Sequence, residues 1–158
     1  YFIFLNKIDF RGMYREGPNG FNVPFGHYKK VPEIFNKDQL YKIQSLIKNV
    51  NFYCQSFENS LENVETGDYV YLDPPYAKEN KKSFVGYNKQ GFDLDTHIRL
   101  FSLVKNLKVK FSMSNSNVPL VTKTFEEYEI ITIKARRAIN SKNPGSKTTE
   151  VIISHKTD

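Results

Sequence analysis

The chain has 158 residues, of which 39% are hydrophobic, and it carries 23 Lys and Arg against 17 Asp and Glu, a formal net charge of +6. This length allows one domain with a real core, and no apolar run approaches the roughly 20 residues that a membrane span needs. One cysteine excludes a disulfide framework, and the dispersed histidines His27, His97 and His155 predict no metal site. We therefore expect an intracellular protein that binds no metal and no membrane.

The first fifty residues predict one region made of a loop and a helix. After the apolar opening "YFIFLN", residues 7–32 form a long basic loop punctuated by Gly and Pro. Within it, Phe21 and Phe25 of "FNVPF" alternate like packing residues around a tight turn. Asn36 is a suitable N-cap for a helix over 36–50, where apolar residues recur at helical spacing: Leu40, Ile43, Leu46, Ile47 and Val50.

Strands and helices alternate over the remaining region, 51–158. "NFYCQSF" (51–57) predicts a strand with Cys54 as a buried core thiol, and "ENSLENV" a short helix. The further elements are a strand in "DYVYLD", a helix over 93–107 behind Asp93 or Asp95, a strand in "KVKFSMSN", a helix within 117–127, and strands in "YEIITIKA" and "TTEVIISH". This order predicts an α/β sheet whose last two strands, joined by one loop, are antiparallel.

The basic residues are clustered rather than evenly spread. The clusters lie at 11–15, 27–30, 78–82 and 134–147, and several contain aromatic residues or glycines. Such surfaces follow phosphates and stack on bases, which favours a nucleic-acid partner. A basic face that is simply solvated is the alternative.

The stretch "YVYLDPPY" (69–76) has the pattern of a catalytic turn. Two prolines cannot donate ladder hydrogen bonds, so the strand ends at Asp73, at an edge where open α/β sheets bind ligands. The Asp73 carboxylate and the Pro74 carbonyl can accept hydrogen bonds from an amine, and Tyr76 offers a face for stacking. An exocyclic amine on an aromatic base needs both features. A plain turn after a strand is the alternative for a motif this short.

Three motifs in order resemble the Dam-like (D12 class) DNA adenine-N6 methyltransferases. They are "FRGMYREGPNGFNVPFGHYKK", then "DPPY" after an apolar strand, then "KARRAIN". The resemblance implies a Rossmann-like class I AdoMet-dependent methyltransferase sheet with an inserted DNA-recognition region, here 1–50, before the catalytic α/β portion. It also implies methyl transfer from AdoMet to the amine of an adenine flipped out of double-stranded DNA.

The resemblance assigns roles at the catalytic turn. Asp73 would hydrogen-bond the adenine amine and lie beside AdoMet, while Pro74 and Pro75 hold the turn rigid. Tyr76 would stack on the flipped base. Two residues upstream match the wall of the cofactor pocket: Ser56 and Phe57.

The resemblance also assigns DNA contacts in the recognition loop. Phe10 matches an aromatic that fills the gap left by base flipping, and Arg15 matches the base-reading arginine, which can be bidentate to guanine. Further positions match DNA-contacting residues: Arg11, Met13, Asn22, Pro24, His27 and Tyr28. In the loop after the turn, Phe84 and Tyr87 are candidates for a second stacking face, on a flap that closes over the base.

Several departures from the family keep alternatives open. Arg11 replaces the usual Asn, and the loop before Phe21 is one residue short, so the exact target, commonly GATC in the family, is not fixed. The family's glycine-rich AdoMet loop and ribose-binding acid are not found, so the chain resembles a C-terminal portion. It could need a missing N-terminal half or partner subunit, be half of a split enzyme, or be a non-catalytic DNA-recognition subunit. Cytosine N4, a glutamine amide and RNA adenine are the other amine substrates.

Overall fold

The chain folds into two compact units, Tyr1–Tyr53 and Cys54–Asp158. The computed structural model describes residues 1–30, 32–78, 92–136 and 147–156. The first unit contains α1 (Phe2–Ile8), a 3₁₀ turn (Phe10–Gly12), β1 (Glu16–Gly17), β2 (Gly20–Phe21) and α2 (Lys37–Leu46). The second contains α3 (Phe57–Glu62), β3 (Tyr69–Leu72), α4 (Leu94–Lys105), β4 (Lys110–Ser116), α5 (Pro119–Thr124), β5 (Glu129–Arg136) and β6 (Lys147–Ser154). None of the described helices has the length and apolar character that crossing a membrane requires.

In the first unit, the 3₁₀ turn is pinned to a later part of the same loop. The Phe10 N–H donates to the Pro24 carbonyl, and the Gly26 N–H donates to the Ile8 carbonyl, both at 2.8 Å. Gly12 has φ +62°, and a Cβ atom there would lie 2.7 Å from the Asn6 carbonyl oxygen. The turn therefore requires glycine at this position.

In the first unit, the end of the predicted helix and the packing of Phe21 and Phe25 differ from expectation. The helix with the Asn36 cap is confirmed, because Asn36 Oδ1 accepts the Gln39 N–H at 3.1 Å. It ends at Leu46 instead of residue 50, because the backbone leaves helical geometry at Ile47 (φ −93°, ψ 8°). Phe21 and Phe25 are 40% and 61% exposed, so the prediction that they pack inside was wrong. Each instead contacts one local ring, Tyr14 and Tyr28 respectively.

The second unit is built on a mixed four-stranded sheet in the order β3-β4-β6-β5. β3 and β4 are parallel, with Leu72 opposite Met113, whereas β6 is antiparallel to both β4 and β5. The predicted α/β class and antiparallel last pair are confirmed. Parallel pairing places the carboxyl ends of β3 and β4 side by side.

The core of this unit joins one face of α4 to the sheet. Leu100, Phe101 and Val104 are buried at helical spacing, and they pack in one cluster with residues of β3, β4, α5 and β6. Asp93 Oδ1 accepts the Thr96 N–H at 2.8 Å and so caps α4, as one of the two predicted caps. Hydrogen bonds from the Thr96 hydroxyl and N–H lower the pKa of Asp93.

The predicted strand over 51–57 is wrong. Residues 51–56 form no regular element, and Cys54 is exposed instead of buried. The Ser56 hydroxyl accepts the Asn59 N–H at 3.3 Å, which starts α3 at Phe57. N-capping by serine overrides the β-propensity of the aromatic residues before it.

Candidate active site

Asp73 follows β3 directly and is held by the neighbouring strand. The Ser114 hydroxyl lies 2.7 Å from Asp73 Oδ1 and donates to it, with the Leu72 carbonyl at 3.4 Å as a second acceptor. Ser114 is buried, whereas Asp73 is exposed. A buried donor therefore fixes one carboxylate oxygen of a residue that remains open to a ligand.

The far end of the turn is anchored by the next two residues of β4. Asn115 Oδ1 accepts the N–H groups of Ala77 and Ser116, both at 2.9 Å, and the Ser116 hydroxyl donates to the Ala77 carbonyl. Asn115 is fully buried. Three consecutive β4 residues thus hold both ends of the DPPY turn.

The sequence did not predict that these three β4 residues hold the turn. Small polar residues follow one another in "SMSNS" at the end of the predicted strand "KVKFSMSN", but this run does not show which turn they hold. His97 was also missed as a site residue: its Nε2 lies 2.9 Å from the Pro75 carbonyl oxygen. Its spacing on α4 is that of a core residue, which hides any contact with the turn.

Tyr76 is half-buried at the end of the turn. Burial raises the pKa of its phenol, and Glu150 and Asp73 act in the same direction, while a hydrogen bond with Ser114 opposes them. The ring is therefore neutral at physiological pH. A neutral, half-exposed ring can stack on a planar ligand.

A cavity of about 380 Å³ opens beside Asp73. Its lining is mostly apolar and includes Phe57, Leu61, Val70 and Leu100, with Gln55, Ser60 and Asp73 among its polar members. Phe57 is one of its lining residues, whereas Ser56 is not among them and caps α3. Among the described residues, no group of three His, Cys, Asp or Glu side chains is arranged as metal ligands.

Phe10 and Arg11 lie together in the 3₁₀ turn of the first unit. Phe10 is half-buried, and the Arg11 guanidinium carbon lies 5.2 Å from the centre of its ring. Arg11 has φ 59° and ψ 21°, in the left-handed region. Asn tolerates this region better than other non-glycine residues do, which gives a backbone reason for the Asn that the family usually has here.

Arg15 is already oriented by Asn22. The Arg15 Nε–H donates to Asn22 Oδ1 at 2.8 Å, and its Nη2 donates to the Asn22 carbonyl at 3.1 Å. Both residues are exposed, and the β1–β2 hairpin lies between them. One edge of the guanidinium is thus engaged, while its end carries further N–H donors.

The remaining predicted DNA contacts lie in the same unit. Met13 is half-buried, and Pro24 and His27 are exposed. Tyr28 is exposed at its ring, but its hydroxyl donates to the Asp9 carbonyl at 3.1 Å. The expected flap with Phe84 and Tyr87, and much of "KARRAIN", lie outside the described residues.

The motifs agree with the comparison to protein families. The family model described as D12 class N6 adenine-specific DNA methyltransferase matches residues 1–139. The chain belongs to this family. Among its relatives, the Type II methyltransferase M.MjaIII of Methanocaldococcus jannaschii is 41% identical over 152 residues, which cover 92% of this chain and 52% of that protein.

Two other relatives match the chain with similar coverage. The Type II methyltransferase M1.LlaDCHI of Lactococcus lactis subsp. cremoris is 33% identical over 97% of this chain and 56% of its own length. The DNA adenine methylase of Escherichia coli K12 is 31% identical, over 92% and 53% respectively. The chain therefore spans about half the length of the curated relatives it matches.

Proposed function

We propose that this chain carries the catalytic turn and the DNA-recognition region of a site-specific DNA adenine-N6 methyltransferase. The observation that carries the proposal is the exposed Asp73 carboxylate, held by Ser114 at the carboxyl end of a parallel strand pair and beside a cavity. Membership of the family supports it. The proposal includes a Rossmann-like class I sheet and an intracellular location, where the DNA substrate is found.

The proposed chemistry is hydrogen bonding to the adenine amine. The Asp73 carboxylate and the Pro74 carbonyl accept its two N–H groups, which directs the nitrogen lone pair away from the ring system and makes it nucleophilic. Tyr76 stacks on the flipped base and holds its plane. As the N–C bond to the methyl group forms, the bond between that carbon and the donor atom would break, and its electron pair would stay with the donor. The nitrogen gains positive charge, which the Asp73 carboxylate stabilises at hydrogen-bond distance, and it then releases one proton to solvent.

The methyl donor is proposed to be AdoMet. The cavity beside Asp73 lies within the about 300–1,000 Å³ typical of ligand pockets, and its mostly apolar wall with a few polar groups suits a nucleoside. Phe57, Leu61 and Phe92 would hold the apolar part of the donor, and Asp73 would face its cationic part. When bound, AdoMet supplies a methyl group activated by a sulfonium.

DNA recognition is proposed for the first unit. Phe10 fills the gap left by the flipped adenine, and Arg15, oriented by Asn22, reads guanine through the end of its guanidinium. Arg11, Met13, Pro24, His27 and Tyr28 contribute backbone and base contacts. A GATC-like target follows from the family, with Arg11 as the feature that can alter it.

Calorimetric titration with AdoMet separates this proposal from a non-catalytic DNA-recognition subunit. We expect binding that Phe57→Asp weakens, because a carboxylate would then replace an apolar wall of the cavity. Glu58→Ala, at the adjacent position outside the cavity lining, is the matched control. A chain that binds duplex DNA but gives no heat with AdoMet would favour the recognition subunit or one half of a split enzyme.

A further inference from the structure

His97 bridges two backbone segments that lie 18 positions apart in sequence. It is 1% exposed, its Nε2 lies 2.9 Å from the Pro75 carbonyl oxygen, and its Nδ1 lies 2.7 Å from the Asp93 carbonyl oxygen. The ring makes edge contacts with Phe92 and Phe101, at centroid distances of 4.6 and 5.8 Å. A buried polar ring is thus held between the DPPY turn and the start of α4.

The two carbonyl groups differ in whether they accept another hydrogen bond. The Asp93 carbonyl already accepts the backbone N–H of His97 at 3.1 Å, as part of α4. Among the described residues, no backbone N–H donates to the Pro75 carbonyl. Both ring nitrogens of His97 face carbonyl oxygens, so each contact is a hydrogen bond only if that nitrogen carries a proton, and a proton on Nε2 meets the carbonyl that has no such backbone donor.

We propose that His97 is a positioning residue, which donates from Nε2 to the Pro75 carbonyl and so sets the geometry of the catalytic turn. Ser114 fixes Asp73 and Asn115 fixes Ala77, so the peptide between Pro75 and Tyr76 is the part of the turn that β4 does not hold through these bonds. His97 supplies that support from α4. Its consequence for catalysis rests on the proposed function, whereas the hydrogen bond itself does not.

Two substitutions of similar length and volume separate positioning from packing. In His97→Gln, the amide nitrogen reaches the place of Nε2 and keeps the bond to Pro75. In His97→Met, a side chain of the same length carries no N–H donor and loses the bond. Both variants remove the ring contacts with Phe92 and Phe101 and fill a similar volume, so a role in packing alone predicts similar effects.

We expect kcat for methyl transfer to fall by about 100-fold in His97→Met, the cost of a small misplacement at a reacting centre. The KM for DNA should change much less than kcat, because most of the proposed DNA contacts lie in the first unit. His97→Gln should recover most of the lost rate. Equal losses in the two variants, or a loss confined to KM, would overturn the inference.

A second measurement makes the inference independent of activity. Long-range nitrogen–proton correlation spectra of the isotope-labelled chain report which ring nitrogen of His97 carries a proton, and they should show it on Nε2. The backbone amide resonances of Tyr76 and Ala77 should move in His97→Met and stay near their wild-type positions in His97→Gln. If the wild type transfers no methyl group, the proposed function fails, and these spectra alone decide on His97. An unprotonated Nε2, or equal shifts in both variants, would refute the inference.

Discussion

Replacing Asn115 by alanine tests whether β4 holds the DPPY turn. The Asn115 amide oxygen accepts two backbone N–H groups, from Ala77 and Ser116, at 2.9 Å each. Removing it leaves both donors without this acceptor, and a buried unsatisfied donor costs about 1–3 kcal/mol. The substitution also deletes Asn115 Nδ2, a buried donor without a hydrogen-bond partner among the described residues. Its removal stabilises the variant by about 1–3 kcal/mol and so offsets the loss of one acceptor contact.

With the small cavity left by the amide, the net loss in the free energy of unfolding is about 2–4 kcal/mol. Native domains have only about 5–15 kcal/mol in total, so a loss of this size is large. The chain has no tryptophan, so urea unfolding is best followed by circular dichroism. The loss should appear as a lower midpoint with an unchanged slope.

Asn117→Ala is the matched control, because Asn117 is exposed two positions further along the chain. Exposed substitutions usually change stability by no more than about 0.5 kcal/mol. If Asn115→Ala costs no more than Asn117→Ala, the amide does not hold the turn, and the description of β4 as its anchor is wrong.

Three further predictions concern specificity, backbone strain and pH. Arg15→Ala should lose about 1–3 kcal/mol of discrimination between cognate and altered duplexes at one base pair, measured by fluorescence anisotropy. Lys29→Ala should instead weaken binding to cognate and scrambled duplexes alike. If Arg15→Ala also weakens both duplexes alike, Arg15 is a phosphate contact. Arg11→Asn should raise stability by up to about 1 kcal/mol relative to Arg11→Ala, since Asn suits φ 59°; equal unfolding midpoints would contradict this. Because the pKa of Tyr76 is raised in the folded state, its contribution to stability is present below the unfolded pKa of about 10 and is lost as pH rises through the folded value. Tyr76→Phe should therefore lose less stability than the wild type between neutral and strongly alkaline pH, and parallel losses would argue against burial as the cause.

The sequence predicted the elements whose signals are local. Two prolines predicted that the strand stops at Asp73, and β3 ends one residue earlier, at Leu72. The caps of α2 and α4 followed from Asn36 and Asp93. The antiparallel pairing of β5 with β6 followed from two strands with one connecting loop. In each case, residues close together in the sequence determine the structure that forms.

The features that the sequence missed depend on distant contacts or on competition between neighbours. Asn115 meets Ala77 across 38 positions, and His97 meets Pro75 across 22, so no local pattern could reveal either bond. Around Cys54, aromatic residues favoured a strand, but the cap at Ser56 drew the following residues into α3. The sequence therefore singled out the DPPY tetrapeptide but not the side chains that hold it.

The position of the methyl group in the product tests the central claim most directly. The chain replaces its matching segment in M.MjaIII, so that the test does not depend on whether the chain acts alone. The chimera is incubated with duplex DNA and AdoMet that carries a deuterated methyl group, and the nucleosides are analysed by mass spectrometry. We expect the label on N6 of adenine, and we expect Asp73→Ala to abolish it while duplex binding remains. Label on cytosine instead, or label on adenine at an undiminished rate in Asp73→Ala, would contradict the assignment of Asp73 to the adenine amine.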